Sequence, residues 1–208
     1  MQVHSIAGRG FSSNIFLVEG SPSFIVDAGL DDDAERVASF VKNKGVSPEA
    51  LVLTHRHVDH VGGAARLARL LDISAYSTPQ EAEPVCRGDG ISTGALLFGC
   101  KLEKLDVKDI RDWDCNEWSI LKTPGHTEGS FCLYFQKDGT LISGDTVFAD
   151  GGVGRWDLPT GSLKELVQSL NTLANIPVNR LYPGHGRWVE SDASYHIAMS
   201  QKSLGGYR

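Results

Sequence analysis

The sequence predicts a sheet-rich α/β (α+β) fold in one domain over residues 1–208, with helices covering the outer faces of the strands. Three observations carry this. The chain has 208 residues, 41% apolar and 22% charged, enough length and apolar content to bury a substantial core. Short apolar runs and 3.6-period patterns occur in both halves, with no low-complexity linker and no repeat between them. Several of the apolar runs end in glycine-rich turns that carry a histidine or an aspartate.

The elements follow in order. Asn14 to Glu19 and Phe24 to Asp27 read as strands joined by the turn Gly20-Ser21-Pro22. Asp31 to Asp33 are placed to cap a helix whose apolar positions Ala34, Val37, Ala38 and Val41 share one face, and Gly45 ends it. Leu51-Val52-Leu53 is a short buried strand running straight into Thr54-His55. A second helix after Gly62-Gly63 presents Ala64, Ala65, Ala68 and Leu71. Gly88 to Gly99 reads as a loop. Strands are expected at Trp118–Leu121, Phe131–Phe135 and Thr140–Ser143, the last two joined by a hairpin turn at Asp138-Gly139. A third helix carries Leu163, Leu166, Val167, Leu170 and Leu173, and Leu181-Tyr182 is a last strand before Pro183-Gly184. Periodicity leaves open whether these strands make one sheet or two.

Twenty basic against 26 acidic residues give a net charge of −6, which argues against a duplex-binding surface, so no nucleic-acid partner is expected. No stretch approaches the roughly 18 apolar residues of a membrane helix, and Met1 to Asn14 lack the apolar core of an export signal; a cytoplasmic protein without a membrane partner is expected. Cys86, Cys100, Cys115 and Cys132 form no C-x-x-C pair and read as reduced, mostly buried thiols; a Cys100–Cys115 bridge has nothing in its favour.

The decisive segment is Thr54-His55-Arg56-His57-Val58-Asp59-His60-Val61-Gly62-Gly63, which holds three of the chain's seven histidines and an aspartate within six positions. In an extended backbone His55 and His57 point the same way, roughly 6.5–7 Å apart, a span that lets two imidazoles grip one ion. Asp59 and His60 then fall at the turn into the next helix, facing a second ion. Thr123-Pro124-Gly125-His126-Thr127, Ser143-Gly144-Asp145-Thr146 and Tyr182-Pro183-Gly184-His185-Gly186 share one style, a ligand-type residue in a glycine-containing turn after a strand. A strand end is a stiff mount, and small neighbours let backbone and metal approach closely.

On these four motifs the sequence, from Asn14 to Gly186, resembles the metallo-β-lactamase-fold hydrolases, and within them the short single-domain members of the hydroxyacylglutathione hydrolase (glyoxalase II) group. The resemblance implies an αββα sandwich of two mixed sheets. It also implies a first metal held by His55, His57 and His126, a second by Asp59, His60 and His185, and Asp145 bridging both. Asp59 and Asp145 are thereby the candidate catalytic carboxylates. No counterpart of the glutathione-holding helical region of longer relatives is expected, since 23 residues follow His185.

Five histidines and two aspartates suit two divalent ions, zinc as the first expectation and iron or manganese as the others. A bridging hydroxide between two such ions attacks a carbonyl. A thiolate leaves almost unaided whereas an amide nitrogen needs a proton, and no additional acid is in evidence, so small thioesters, S-acyl glutathione first, are the expected substrates. The alternatives are a lactone or ester hydrolase, disfavoured because Phe148 stands where lactonases carry a tyrosine, and a mononuclear-iron persulfide dioxygenase using His55, His126 and Asp145. Such dioxygenases share a Gly-Arg-x-Asp stretch, here Gly154-Arg155-Trp156-Asp157, but commonly place an acidic residue where Gly186 stands. A monomer or homodimer acting on a small molecule is expected.

Arg155 is read as meeting a substrate carboxylate or, in preference, as pairing with Asp157. Asp27 either supports a ligand histidine or caps a helix. Tyr182 lines the pocket or, in preference, belongs to the core. His4 and His196 read as surface or internally satisfied, while Trp156, Trp188 and Tyr207 are open between pocket wall and dimer contact.

Overall fold

The computed structural model describes residues 1–115 and 117–204 and divides into two units, Met1–Asp114 and Cys115–Arg208, each built round its own mixed sheet.

In the first unit six strands lie in chain order: β1 (Gln2–Ile6), β2 (Ile15–Glu19), β3 (Phe24–Val26), β4 (Ala50–Val52), β5 (Ser74–Ser77) and β6 (Val107–Asp109). β1, β2 and β3 pair antiparallel, and β3 through β6 pair parallel. Parallel neighbours need crossovers, supplied by α1 (Ala34–Lys44), by α2 (Val58–Val61) with α3 (Ala64–Leu71), and by α4 (Pro79–Arg87). Alternation sends Ile15, Leu17, Ile25 and Leu51 into one core with Val37 and Val41 of α1 and Leu67 of α3. Phe16, Val18, Phe24 and Val26, on the other face, are buried as well. Each such side chain contributes roughly 1.5–3 kcal/mol by leaving water. Phe24 meets Trp113 edge-on at 4.9 Å.

The predicted strands, turns and two helices of this half are present. The capping expectation at Asp31–Asp33 is corrected: these residues form a 3-10 turn without a side-chain cap. The Asp33 carboxylate accepts instead from Ser12 Oγ at 2.6 Å and Arg36 Nε at 3.0 Å, stronger partners than a backbone amide. α1 ends at Gly45 with φ 69°, as read. The Gly88–Gly99 loop is a series of turns exposing Ile91, Leu96 and Leu97, with Phe98 stacked on Phe11.

The second unit has β7 (Trp118–Lys122), β8 (Phe131–Phe135), β9 (Thr140–Gly144) and β10 (Arg180–Pro183), in the spatial order β10-β9-β8-β7. β7–β8 and β8–β9 are antiparallel and β9–β10 is parallel. α5 (Leu163–Leu173) makes the crossover and packs Leu166, Leu170 and Leu173 with Leu141, Leu181 and, from α6 (Ala193–Leu204), Ile197. Ser162 caps α5 by accepting from the Glu165 amide. All four cysteines are free, Cys115 and Cys132 buried, Cys86 and Cys100 half-buried. Among the described residues no helix is long and apolar enough to cross a membrane.

Candidate metal centre

In the first unit the ligand segment begins where β4 stops. β3 ends beside it, and Asp27 reaches across: its amide donates to the Val52 carbonyl at 2.8 Å, and its Oδ1 accepts the Thr54 amide at 2.8 Å. Asp27 is 1% exposed and adopts φ 60°, a left-handed conformation uncommon outside glycine and asparagine-like residues. Its Oδ2 accepts Thr54 Oγ1–H at 2.8 Å and His60 Nδ1–H at 2.7 Å. Thr54 Oγ1 lies 3.1 Å from His55 Nδ1. With both Nδ1 protons so engaged, Nε2 of His55 and of His60 is the nitrogen that could ligate a metal. Of the two readings of Asp27, the hydrogen bond to His60 Nδ1 agrees with support of a candidate ligand histidine and not with helix capping.

The expected extended run from His55 to His57 is corrected. The ladder with β5 stops at Leu53, whose amide donates to the Tyr76 carbonyl. The next amides that a strand would present are taken by carboxylates, Thr54 by Asp27 and Arg56 by Glu81, so the chain bends at Thr54-His55. His57 is extended (φ −64°, ψ 143°) and leads into α2. The bend sets the His55 and His57 rings 4.9 Å apart at 90°, and the His55 and His60 rings 4.0 Å apart. Ligand atoms of His55 lie within 4.8 Å of those of His57 and of His60, and Asp59 Oδ2 is 3.9 Å from His60 Nε2. The backbone of this segment is tied on every side: Val58 N to Thr93 O, Ser13 N to Asp59 O, Ala28 N to His60 O and Gly63 N to Gly29 O, all at 2.8–2.9 Å. A Cβ at Gly63 would stand 2.6 Å from the Leu30 carbonyl oxygen, so only glycine admits this approach.

In the second unit the topology collects the candidate ligands. β7 and β9 are both antiparallel to β8, and β10 is parallel to β9, so β7, β9 and β10 all end at the same edge of the sheet. His126, Asp145 and His185 follow those three strand ends. Asp145 Oδ2 is 3.6 Å from His126 Nε2 and 3.6 Å from His185 Nε2. That is too long for a hydrogen bond. It does match two donors on one ion, since atoms each roughly 2.0–2.1 Å from a tetrahedral metal lie about 3.4 Å apart. The donor chemistry and the spacing therefore fit a metal. His126 Nδ1 donates to the Arg155 carbonyl at 2.6 Å, so its Nε2 is the ring nitrogen that carries the lone pair. A Cβ at Gly154 would sit 2.0 Å from the Asp145 carbonyl oxygen and 2.9 Å from His126 Nδ1. The Gly154-Arg155 peptide is thus the brace of His126.

The description "Metallo-beta-lactamase superfamily" fits residues 8–185, a span holding both ligand sets. The chain belongs to the metallo-beta-lactamase superfamily. A probable metallo-hydrolase of Methanocaldococcus jannaschii is 33% identical over 190 residues, 86% of this chain and 90% of the relative. A hydroxyacylglutathione hydrolase of Methylobacillus flagellatus is 31% identical over 183 residues, 85% of this chain and 62% of that one. A protein crystallised in a di-iron-bound form superposes with a TM-score of 0.80 at 30% identity, covering 95% of this chain and 96% of the other. The two mixed sheets with their helices are the metallo-beta-lactamase fold, and at this level the chain is a metallo-hydrolase with a histidine and aspartate metal-binding set.

The other predicted residues of this superfamily member have partners of their own. Arg155, exposed, holds both oxygens of Asp157 at 2.9 Å, and its guanidinium keeps the Asp157 carboxyl below the usual carboxylate range. Tyr182 is 3% exposed; burial first, and then the Glu190 carboxylate that its hydroxyl meets at 3.1 Å, push the phenol far up. His4 pairs with Glu19, and His196 Nδ1 accepts from the Asp150 amide. Trp156 packs half-buried against the second unit's core, Trp188 is half-buried, and Tyr207 lies outside the described residues. Phe148, without a hydroxyl, stands edge-on to the His185 ring at 6.0 Å. Sequence reasoning missed Glu81 and the Arg155 carbonyl. Glu81 carries no motif, and the Gly154-Arg155-Trp156-Asp157 stretch points to side chains, whereas the brace is a main-chain oxygen.

Proposed function

We propose that this chain is a binuclear metal hydrolase of small thioesters, S-acyl glutathione first among them. His55, His57 and His126 would hold one ion, Asp59, His60 and His185 would hold the other, and Asp145 would serve both. The observation that carries the reading is the position of Asp145 Oδ2, equidistant at 3.6 Å from a histidine assigned to each ion. The pinned Nδ1 atoms of His60 and His126 support it, because each leaves one ring nitrogen fixed in direction.

Zinc is the first candidate. Iron is the second, the metal in the similar di-iron-bound protein. Two such ions supply an acidified water and polarise the scissile carbonyl. What the chain itself contributes is orientation: Asp27, Thr54 and the Arg155 carbonyl hold three imidazoles in one tautomer before any metal arrives. A thiolate leaving group asks for no proton donor, and the proposed ligand set offers none. The similarity to a protein named hydroxyacylglutathione hydrolase supports ranking a glutathione thioester first among thiol esters. Arg155 and Tyr182 are left out of the machinery because Asp157 and Glu190 engage them.

The test is metal analysis of the purified chain together with thiol release from a panel of S-acyl thiols. Two metals per chain and thioester cleavage, lost in Asp145→Ala, are expected. Cleavage undiminished in that variant would refute the bridging role. The second reading, persulfide dioxygenation at His55, His126 and Asp145, rests on the Gly154-Arg155-Trp156-Asp157 stretch; one iron per chain and oxygen uptake with a glutathione persulfide would replace the hydrolase with it.

A further inference from the structure

Arg56 is the residue between the first two ligand histidines, and a cationic side chain there opposes a bound dication. Yet it is not turned out to solvent. Its side chain is 3% exposed and lies against Glu81 of α4, itself 1% exposed. Glu81 Oε2 accepts both the Arg56 backbone amide at 2.8 Å and Nε at 3.0 Å, while Oε1 accepts Nη2 at 3.0 Å. Nη2 also donates to the Gln80 carbonyl at 3.0 Å. That carbonyl is spare for a readable reason: in a regular helix it would accept the amide of residue 84, and residue 84 is a proline inside α4. The start of α4 is therefore shaped as a receptor for one guanidinium and one backbone amide.

A buried ion pair is a poor source of stability, because removing two charges from water offsets most of their attraction, and well-packed apolar side chains often serve as well or better. What this pair does that apolar packing does not is fix a peptide. We infer that Glu81, through Arg56, is a positioning residue of the metal centre. It clamps the His55–His57 backbone at the bend, so that the two imidazoles are held 4.9 Å apart and perpendicular before metal binds. The inference rests on the metal centre proposed above.

The test compares the full-length apo chain with Arg56→Met/Glu81→Met, Glu81→Gln and, as a control, Val41→Ala in the core of the first unit. Three readouts are taken: zinc affinity by chelator competition, the cobalt(II) absorption spectrum, and the apo Tm. The double variant is expected to bind zinc about 10–100-fold more weakly, the loss typical of removing a residue that orients metal ligands. Its cobalt spectrum changes whichever way its apo Tm moves. Val41→Ala lowers Tm and leaves zinc affinity within about twofold. A folded double variant with zinc affinity within about twofold of the parent and an unchanged cobalt spectrum would overturn the inference. Should the double variant not fold, Glu81→Gln decides: it keeps one acceptor oxygen for three donors, so weaker zinc and a changed spectrum support the clamp, and parent-like values overturn it. A parent chain that takes up neither zinc nor cobalt refutes the metal centre itself, which distinguishes that failure from failure of the clamp.

Discussion

Asp27→Asn is the sharpest probe of the site. The substitution keeps size, and asparagine tolerates the φ of 60° that position 27 requires, so the backbone is not the variable. What changes is hydrogen-bond polarity. Asp27 offers oxygen on both sides, Oδ1 to the Thr54 amide at 2.8 Å and Oδ2 to His60 Nδ1 at 2.7 Å. Asparagine has one oxygen and one NH2. If the oxygen faces Thr54, the NH2 meets the His60 Nδ1 proton; if it is flipped, the NH2 meets the Thr54 amide. Either way two donors face each other where side-chain exposure is 0–2%. The cheapest relief is for His60 to move its proton to Nε2, the atom proposed to bind metal. Zinc affinity should fall about 10–100-fold, or roughly 1.4–2.7 kcal/mol, and the apo chain should lose about 1–3 kcal/mol. Chelator competition measures the first and thermal unfolding the second. An Asp27→Asn chain that binds zinc within about twofold of the parent would refute the argument that Asp27 sets the His60 tautomer.

Three further outcomes follow from the contacts of Gly154, Arg155 and Cys132. Gly154→Ala drives a methyl to 2.0 Å from the Asp145 carbonyl and 2.9 Å from His126 Nδ1, so Tm should fall by the equivalent of about 1–3 kcal/mol and metal content with it; calorimetry and metal analysis check both. Arg155→Ala removes only a solvent-exposed pair and leaves the backbone carbonyl that braces His126, so Tm, metal content and KM should stay within error in a steady-state and melting comparison. Burial pushes the Cys132 thiol from 9.0 up to about 11, a rise that favours the neutral form in the folded chain. The stabilisation is complete below about pH 9 and is lost as pH climbs through 11, roughly 2–3 kcal/mol in all; in denaturant titrations Cys132→Ala should lack that alkaline decline, and native thiol labelling should reach Cys86 and Cys100 well before Cys132.

The fold was legible where local pattern and burial agree. Ile15–Val18 and Phe131–Phe135 are continuous buried apolar runs, Leu163–Leu173 buries Leu166, Leu170 and Leu173 at helical spacing, and each strand or helix stands where the pattern put it. The unread elements include β1, a partly exposed strand, and several whose burial comes from neighbours. β5 is Ser-Ala-Tyr-Ser, polar by itself and held only because β4 and β6 pair on either side. β6 has three residues, too few to show a period. α4 contains Pro84, which argues against a helix until its freed carbonyl is seen in use. α6 buries Ala193, Ile197, Ser200 and Leu204 at helical spacing, but two of the four are small or polar.

The site divides along a different line, between groups that carry chemistry and groups that hold them. Metal ligands come from a few donor-bearing types, histidine, aspartate, glutamate or cysteine, so the residue type itself is a signal, and its recurrence after strand ends multiplies that signal. A brace needs only an acceptor at the right place. Asp27 was half legible because a carboxylate near a ligand histidine has a known use, yet its two hydrogen-bonded sides depend on β3 ending beside β4. Glu81 lies 25 positions from Arg56 on a helix the pattern did not announce. The brace of His126 is a main-chain oxygen, which every residue possesses, 29 positions away. The only local sign of it is Gly154, a residue whose missing side chain makes room for that carbonyl to approach. Reading such braces from sequence therefore means asking which small residues beside a suspected ligand would be intolerable as alanine. That question has an experimental answer at Gly63 as well as Gly154: alanine at Gly63 should press on Leu30 and shift the His60 end of the ligand segment, whereas alanine at Gly45, whose Cβ meets nothing within 4 Å, should cost only the strain of its φ of 69° and leave metal affinity untouched.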